Sequence, residues 1–221
     1  HTALGILGLP YQFMYAVTGA FYGLQSLIAL FPVERFKLKS GDISLPYSVI
    51  NDKPAFQYRG LHLDVSRNFH SLTSIKKLLE IMAFYKLNKF HLHVTDDEGW
   101  RLEIPEIPEL IEVGARRGFS PDEKGAIHPA YGSLPDADDE LNHGSGYFSQ
   151  DDILEMLQFA AVRHIQVIPE IDLPGHARAA IIALEHRYEA TGDDQYRLAD
   201  PLDKSQYLSI QNYPDNVINV C

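Results

Sequence analysis

The chain has 221 residues, 45% of them hydrophobic and 22% charged, a balance that excludes a disordered chain and suits one large globular domain or two small ones. Its formal net charge of −11 argues against a nucleic-acid binder, which needs clustered Lys and Arg, and fits a neutral or cationic ligand. The single cysteine, Cys221, cannot form a disulfide within the chain and so says nothing of the redox compartment.

No Asp, Glu, Lys or Arg precedes Glu34, and the stretch before it is rich in Leu, Ala, Phe and Tyr. Pro10, Gln12, Thr18 and Gln25 interrupt that stretch, so no block of about 20 apolar residues is available to span a bilayer. There is no initiator Met and no basic segment before an apolar run, and no intact signal peptide is expected. The pattern predicts a short strand over Tyr11–Val17 and a helix over Gly19–Leu30, with Phe21, Leu24, Leu27 and Ile28 on one side. Phe31-Pro32 ends the helix, because the residue before a proline is pushed out of helical geometry. Residues 33–57 are mixed and turn-rich, and they predict a linker.

From Tyr58 the pattern changes. Leu61, Leu63 and Val65 alternate with His62, Asp64 and Ser66, which is the period of a strand. Ser71 or Thr73 can cap a helix that carries Leu72, Ile75, Leu78, Leu79, Met82 and Tyr85. A second strand follows, with Phe90, Leu92 and Val94 alternating against His91, His93 and Thr95. Gly99–Arg117 predicts loop and a short helix. Residues 118–148, rich in Gly, Pro, Asp and His, are too long for a passive connection and predict a functional loop. Ser149 then caps an amphipathic helix bearing Ile153, Leu154, Met156, Leu157, Ala160 and Ala161. A third strand is expected over Gln166–Ile171, and Pro174-Gly175 opens a helix through Ala177, Ala180, Ile181 and Leu184. Alternating strands and helices predict an α/β fold with a parallel sheet, doubly wound or closed as a barrel.

Strands covered by helices on both faces are usually apolar on both. Here His62 and Asp64 share one face of the first strand, His91 and His93 one face of the second, and Ile168 and Glu170 one face of the third. If the apolar alternates meet the helices, these polar residues point into a barrel interior, where ionisable groups must pair with each other or with a ligand. The strand ends repeat the pattern: Arg67 follows the first, Asp96 and Asp97 the second, Asp172 and His176 the third. Barrel enzymes build their sites at such ends. A structural reading stands beside the functional one, with Arg67 in an internal ion pair with Asp64, and Asp96 with His176 as a buried pair. A third possibility is a metal-dependent hydrolase, using His91, His93 and His176 with nearby carboxylates as ligands. The Asp-Glu pairs at Asp97-Glu98, Asp122-Glu123 and Asp139-Glu140 have no individual claim to acid–base chemistry.

Three long motifs occur in order. They are Tyr58-Arg-Gly-Leu-His-Leu-Asp-Val-Ser-Arg67-Asn-Phe-His, Asn88-Lys-Phe-His-Leu-His-Val-Thr-Asp96-Asp-Glu-Gly-Trp-Arg101 and Ile168-Pro-Glu-Ile-Asp-Leu-Pro-Gly-His176-Ala-Arg-Ala. Together they resemble the β-N-acetylhexosaminidases of glycoside hydrolase family twenty, most of all the bacterial chitobiase branch. The resemblance extends through Tyr196-Arg-Leu-Ala-Asp-Pro, and Gly19-Ala-Phe-Tyr-Gly-Leu-Gln-Ser-Leu resembles the last helix of the small α/β domain that precedes the barrel. It implies a (β/α)8 TIM barrel, here its first three to four βα units over 58–221, with residues 1–57 closing the small α/β domain. It further implies exo-hydrolysis of terminal β-linked N-acetylglucosamine or N-acetylgalactosamine from an oligosaccharide or glycoconjugate, without a cofactor or a metal. Configuration would be retained, with the substrate's own acetamide as nucleophile.

By the same resemblance, Arg67 binds hydroxyls of the terminal sugar, while Asp96 and His176 form a supporting catalytic dyad behind a general-acid Glu. His93, Asp97, Glu170 and Asp172 are supporting or structural, and Trp100 is core or pocket wall. The family's Gly-Gly-Asp-Glu does not occur in the chain. From Tyr58 onward the chain is shorter than the roughly 250 residues of such barrels. An inactive portion that lacks its acid is therefore expected. Cys221 resembles a disulfide cysteine with its partner further along, and a periplasmic or secreted location is implied.

Overall fold

The first apolar stretch folds as one helix, α1 (Tyr11–Ala29), in the computed structural model, which describes residues 11–33, 44–130, 132–200, 202 and 216–219. The strand expected over Tyr11–Val17 is thus the beginning of that helix. A short apolar run has no period that separates strand from helix, and within it only Val17 is β-branched while Met14 and Ala16 favour helix. Phe21 packs against the main core, and Thr18 Oγ1 lies 3.2 Å from His164 Nδ1, so α1 is tied to the turn that follows α4 (Gln150–Ala161). Residues 44–57 carry neither helix nor strand. No helix among the described residues is long and apolar enough to cross a membrane. Cys221 and its expected disulfide lie outside the described residues.

The remaining elements follow the expected alternation. They are β1 (Gly60–Asp64), α2 (Leu72–Phe84), β2 (Lys89–Asp96), the two-residue β3 (Gly99–Trp100), α3 (Glu109–Glu112), α4, β4 (Gln166–Ile171) and α5 (Arg178–Thr191). Local chemistry fixes the helix starts. Ser71 accepts from the backbone N–H of Ser74 at the head of α2. Ser149 and Asp152 form a reciprocal capping box on α4, which satisfies two N–H groups that a helix end otherwise leaves open.

β2 is the central strand, paired in parallel with β1 on one side and β4 on the other, while β3 returns antiparallel along the end of β2. The fold is therefore mixed α/β. One sheet face carries Phe90, Leu92 and Val94, which bury against Ile75, Leu79 and Met82 of α2 and Met156 and Ala160 of α4. A second cluster joins Trp100, Leu110, Val113 and Ile127 to Ala179, Ala180 and Ala183 of α5. Trp100 is thus a core residue, with its indole N–H donated to Leu102 O at 2.7 Å. On the opposite sheet face His62 stands level with His91 and Ile168, and Asp64 level with His93 and Glu170. The polar alternates share one surface, as their spacing predicts.

Candidate active site

The site grows from the C-terminal ends of β1, β2 and β4. After β1 the chain turns on Asp64, whose Oδ1 accepts the backbone N–H groups of Ser66 and Arg67, each at 3.0 Å. That turn brings the Arg67 guanidinium back over the strand ends, with NH1 2.7 Å from Asp64 Oδ2 and NH2 2.5 Å from Asp96 Oδ2. Arg67 Nε stands 3.6 Å from Glu98 Oε2. Three carboxylates thus hold a side chain that remains 38% exposed. Burial alone would lower its pKa, but the hydrogen bond to Asp64 and the charges of Asp96, Asp64 and Glu98 outweigh that effect and raise it.

Asp96 is the hub. His93 and Asp96 are three residues apart, so in regular strand alternation they would face opposite ways. The pairing of β2 with β4 is irregular between His93 and Thr95, where two residues of β2 advance against one of β4. This bulge turns Asp96 onto the face that His93 already occupies, the re-aiming that bulges provide beside functional sites. His93 Nε2 then donates to Asp96 Oδ2 at 2.9 Å, and the Asp97 backbone N–H donates to Asp96 Oδ1 at 2.7 Å. Asp96 is 1% exposed. Burial pushes its pKa up, yet the bonds from His93 and Asp97 and the charges of Arg67 and His176 prevail and hold it below the ordinary value. Asp96 is an anion at neutral pH.

His176 reaches the hub from the loop after β4, with Nδ1 3.2 Å from Asp96 Oδ1 and 3.5 Å from Asp97 Oδ2. Its φ of 54° is left-handed, a conformation that costs a non-glycine residue about 1 kcal/mol and that here carries the imidazole to the strand ends. Asp97, fully buried, accepts from Arg178 N at 3.1 Å, and so caps α5, and from Asn216 Nδ2 at 2.9 Å. Its work is to fix the loop that carries His176. Arg67, Asp96 and His176, predicted separately from the ends of three strands, are therefore brought into one cluster.

The three imidazoles of the metal reading do not come together. His176 groups with Asp96 and Asp97, and His93 groups with Asp96 and Asp172 or with His62 and Glu170. His91 joins none of these groups of potential ligands.

Two members of the site escaped the sequence reading. Glu98, 7% exposed, sits in the two-residue turn between Asp96 and Gly99, and the β2–β3 hairpin folds it onto Arg67. Burial and the Asp96 charge raise its pKa, Arg67 and Arg117 oppose this, Asp97 adds to it, and the outcome is about 7. A carboxyl whose folded pKa lies above its unfolded one contributes stability that is complete below the unfolded pKa and is lost as pH rises through the folded one. Glu98→Gln removes that loss. Between about pH 5 and about pH 8 the variant should retain on the order of 2 kcal/mol that the parent forfeits. Thermal melts of both proteins across this range provide the check, and parallel curves would contradict the assignment.

The other member is Arg101, whose side chain is wholly buried. Its Nε donates to Val65 O at 3.1 Å, NH1 to Ala115 O at 3.1 Å and Gly146 O at 2.9 Å, and NH2 to Ser66 O at 2.6 Å and Gly144 O at 2.8 Å. Burial and the nearby Arg117 charge push its pKa down to about 9, against the opposing fields of Asp64 and Glu98. A Cβ on Gly99 would stand 2.5 Å from the Arg101 Cζ, so glycine is required there. Arg101 ties the turn that carries Arg67 to residues 115 and 144–146. The long segment 118–148 is thus anchored at the site, and Arg117 adds a contact of NH1 to Arg67 O at 3.4 Å.

Comparison with known proteins gives a consistent set. The family model for glycosyl hydrolase family 20, catalytic domain, matches residues 56–221. The N,N'-diacetylchitobiase of Vibrio harveyi is 48% identical over 211 residues, covering 92% of this chain and 23% of its own. A beta-hexosaminidase of Vibrio vulnificus is 47% identical over 213 residues, covering 92% and 24%. The crystal structure of the GH20 exo beta-N-acetylglucosaminidase from Vibrio harveyi, in complex with N-acetylglucosamine, is similar at a TM-score of 0.64. Its sequence identity is 45%, over 76% of this chain and 23% of that one. The chain spans about a quarter of the length of these relatives.

Proposed function

The chain belongs to glycosyl hydrolase family 20, as part of its catalytic domain, and on that premise we propose that the full-length protein is an exo-acting β-N-acetylhexosaminidase. It removes terminal β-linked N-acetylglucosamine or N-acetylgalactosamine from oligosaccharides or glycoconjugates, in a periplasmic or secreted setting. The sheet β1-β2-β4 is the first portion of a closed (β/α)8 barrel in this reading. The observation that carries it is the Asp96 carboxylate lying between Arg67 at 2.5 Å and His176 at 3.2 Å over the ends of three adjacent parallel strands.

Each residue then has a defined task. Arg67 is a guanidinium fork already oriented by Asp64, Asp96 and Glu98, so little freedom is lost when it donates to sugar hydroxyls. Asp96, kept anionic, orients the His176 imidazole, and His176 contacts the general-acid Glu to set its pKa near working pH. The acetamide oxygen of the substrate attacks the anomeric carbon as the Glu protonates the leaving oxygen, giving a cyclic oxazolinium. The Glu then takes a proton from water as the water opens that ring, and the configuration is retained. No Gly-Gly-Asp-Glu occurs in these 221 residues, and we assign the acid and its neighbouring Asp to the remainder of the full-length protein.

This mechanism requires the acetamide. The full-length protein should hydrolyse a chromogenic N-acetyl-β-glucosaminide at least about a thousandfold faster, in kcat/KM, than the corresponding β-glucoside, which lacks the nucleophile. Comparable rates on both substrates would overturn the proposal.

A further inference from the structure

We propose that Glu170 and His93 form a positioning pair beneath the site, in which Glu170 holds the His93 imidazole and His93 fixes the Asp96 carboxylate on which Arg67 and His176 both rest. The inference rests on the function proposed above and deepens it. Its basis is register. Asp64, His93 and Glu170 are level on three adjacent parallel strands, and the bulge after His93 adds Asp96 to the same face. His93 Nε2 lies 2.9 Å from Asp96 Oδ2, and Nδ1 lies 3.3 Å from Glu170 Oε1. An imidazole with a carboxylate facing each nitrogen is stabilised as the cation, which can donate to Asp96 and answer the charge of Glu170 together.

Carboxylates from each neighbouring strand favour that cation, against the Arg67 guanidinium, which shares Asp96 Oδ2 with His93 Nε2. From β1, Asp64 contributes its charge and the His62 ring stands 6.2 Å away. From β2 comes Asp96. From β4 come Glu170 and, just beyond that strand, Asp172, which offers an oxygen within 4.8 Å of the His93 and Asp96 ligand atoms. With the His93 side chain 4% exposed, burial alone would lower its pKa. The bond to Asp96 and the charges of Asp64, Asp96 and Glu170 prevail and raise it. Below it, Glu170 Oε2 faces two more imidazoles, with His91 Nε2 at 2.5 Å and His62 Nε2 at 3.6 Å. The polar sheet face is thus a ladder that ends at Asp96. Its function is to keep a positive charge under the hub, so that Asp96 stays ionised and aimed at His176.

The sign of the pH effect follows. A cationic His93 is lost as pH rises through its pKa, so activity should fall on that side. Glu170→Gln removes one of the charges that raise the pKa, and the alkaline limb, which the ionisation of the acid Glu shares, is expected to move to lower pH. In the full-length protein we expect that limb to shift by about one unit, with kcat at neutral pH lowered about tenfold and KM changed less than about twofold. Glu170→Asp, which keeps the charge, should restore the position of the limb. A purely structural Glu170 would lower the melting temperature without moving the limb, and that result overturns the inference. Should Glu170→Gln fail to accumulate, His93→Gln keeps an N–H for Asp96 without the charge. It should lower kcat by a similar factor, and an unchanged kcat overturns the inference equally. Arg67→Ala and His176→Ala, run alongside, separate the two levels. If both retain full activity, the site reading itself falls; if they lose activity while the Glu170 and His93 variants do not, only the positioning pair falls.

Discussion

Arg67→Ala in the full-length protein is expected to lower kcat/KM for a chromogenic N-acetyl-β-glucosaminide by about a hundred- to a thousandfold, mainly through KM. The guanidinium is bound to Asp64 and Asp96 and faces Glu98, yet more than a third of its side chain remains open. Two anchored carboxylate contacts use only part of its five N–H groups, leaving donors for a ligand at the mouth. Charged donors to a sugar hydroxyl contribute roughly 1.5–3 kcal/mol each, so losing two of them accounts for the factor expected. A sugar held by Arg67 would be gripped before and during reaction alike, so the loss is expected to fall on KM. Arg67→Lys should recover little, since an ammonium cannot span Asp64, Asp96 and a hydroxyl with one planar fork. Steady-state kinetics of the two variants, with a melt to verify folding, decide the matter. Unchanged KM in a folded Arg67→Ala variant would remove Arg67 from the binding site.

Arg101→Met should lower the stability of the domain by about 4 kcal/mol or more, among the larger single-residue effects that proteins show. All five N–H groups of Arg101 donate to backbone carbonyls, drawn from three segments of the chain. Methionine has a similar length but no donor, so it leaves those carbonyls buried and unpaired, at about 1–3 kcal/mol for each that finds no substitute. Removing a buried cation also relieves its desolvation and its repulsion by Arg117, and the net loss is therefore smaller than the sum over five bonds. Arg101→Lys, with three donors, should fall between. Because the same clamp holds Val65 and Ser66 next to Arg67, KM should rise in Arg101→Lys even where the protein remains folded. Thermal or denaturant melts of the full-length variants test this, and an Arg101→Met protein as stable as its parent would refute it.

The parts of the fold that the sequence announces are those set by local chemistry. Gln166–Ile171 reads as a strand and is one, and Ser149 reads as a helix cap and closes a capping box. Arg67, Asp96 and His176 stand out because polar residues at the ends of apolar alternations need a partner, and they find one another. What escapes is set by long-range structure. The helix over Tyr11–Val17 has no periodic signature that distinguishes it from a strand. The bulge that places Asp96 beside His93 is a property of how β2 pairs with β4, and nothing in the sequence of β2 marks it. Arg101 closes the second motif with no role assigned to it, because its acceptors lie up to 45 positions away. Glu98 looks like one of three ordinary Asp-Glu pairs until the tight β2–β3 hairpin folds it against Arg67.

In the proposed enzyme the Arg67–Asp96–His176 cluster receives the terminal sugar. A crystal structure of the full-length protein soaked with N-acetylglucosamine tests this most directly. The sugar is expected over the ends of β1, β2 and β4, with its hydroxyls within hydrogen-bond distance of the Arg67 guanidinium and the acid Glu in contact with His176. A sugar bound with its hydroxyls away from Arg67, or with His176 turned from the reacting bond, would contradict it.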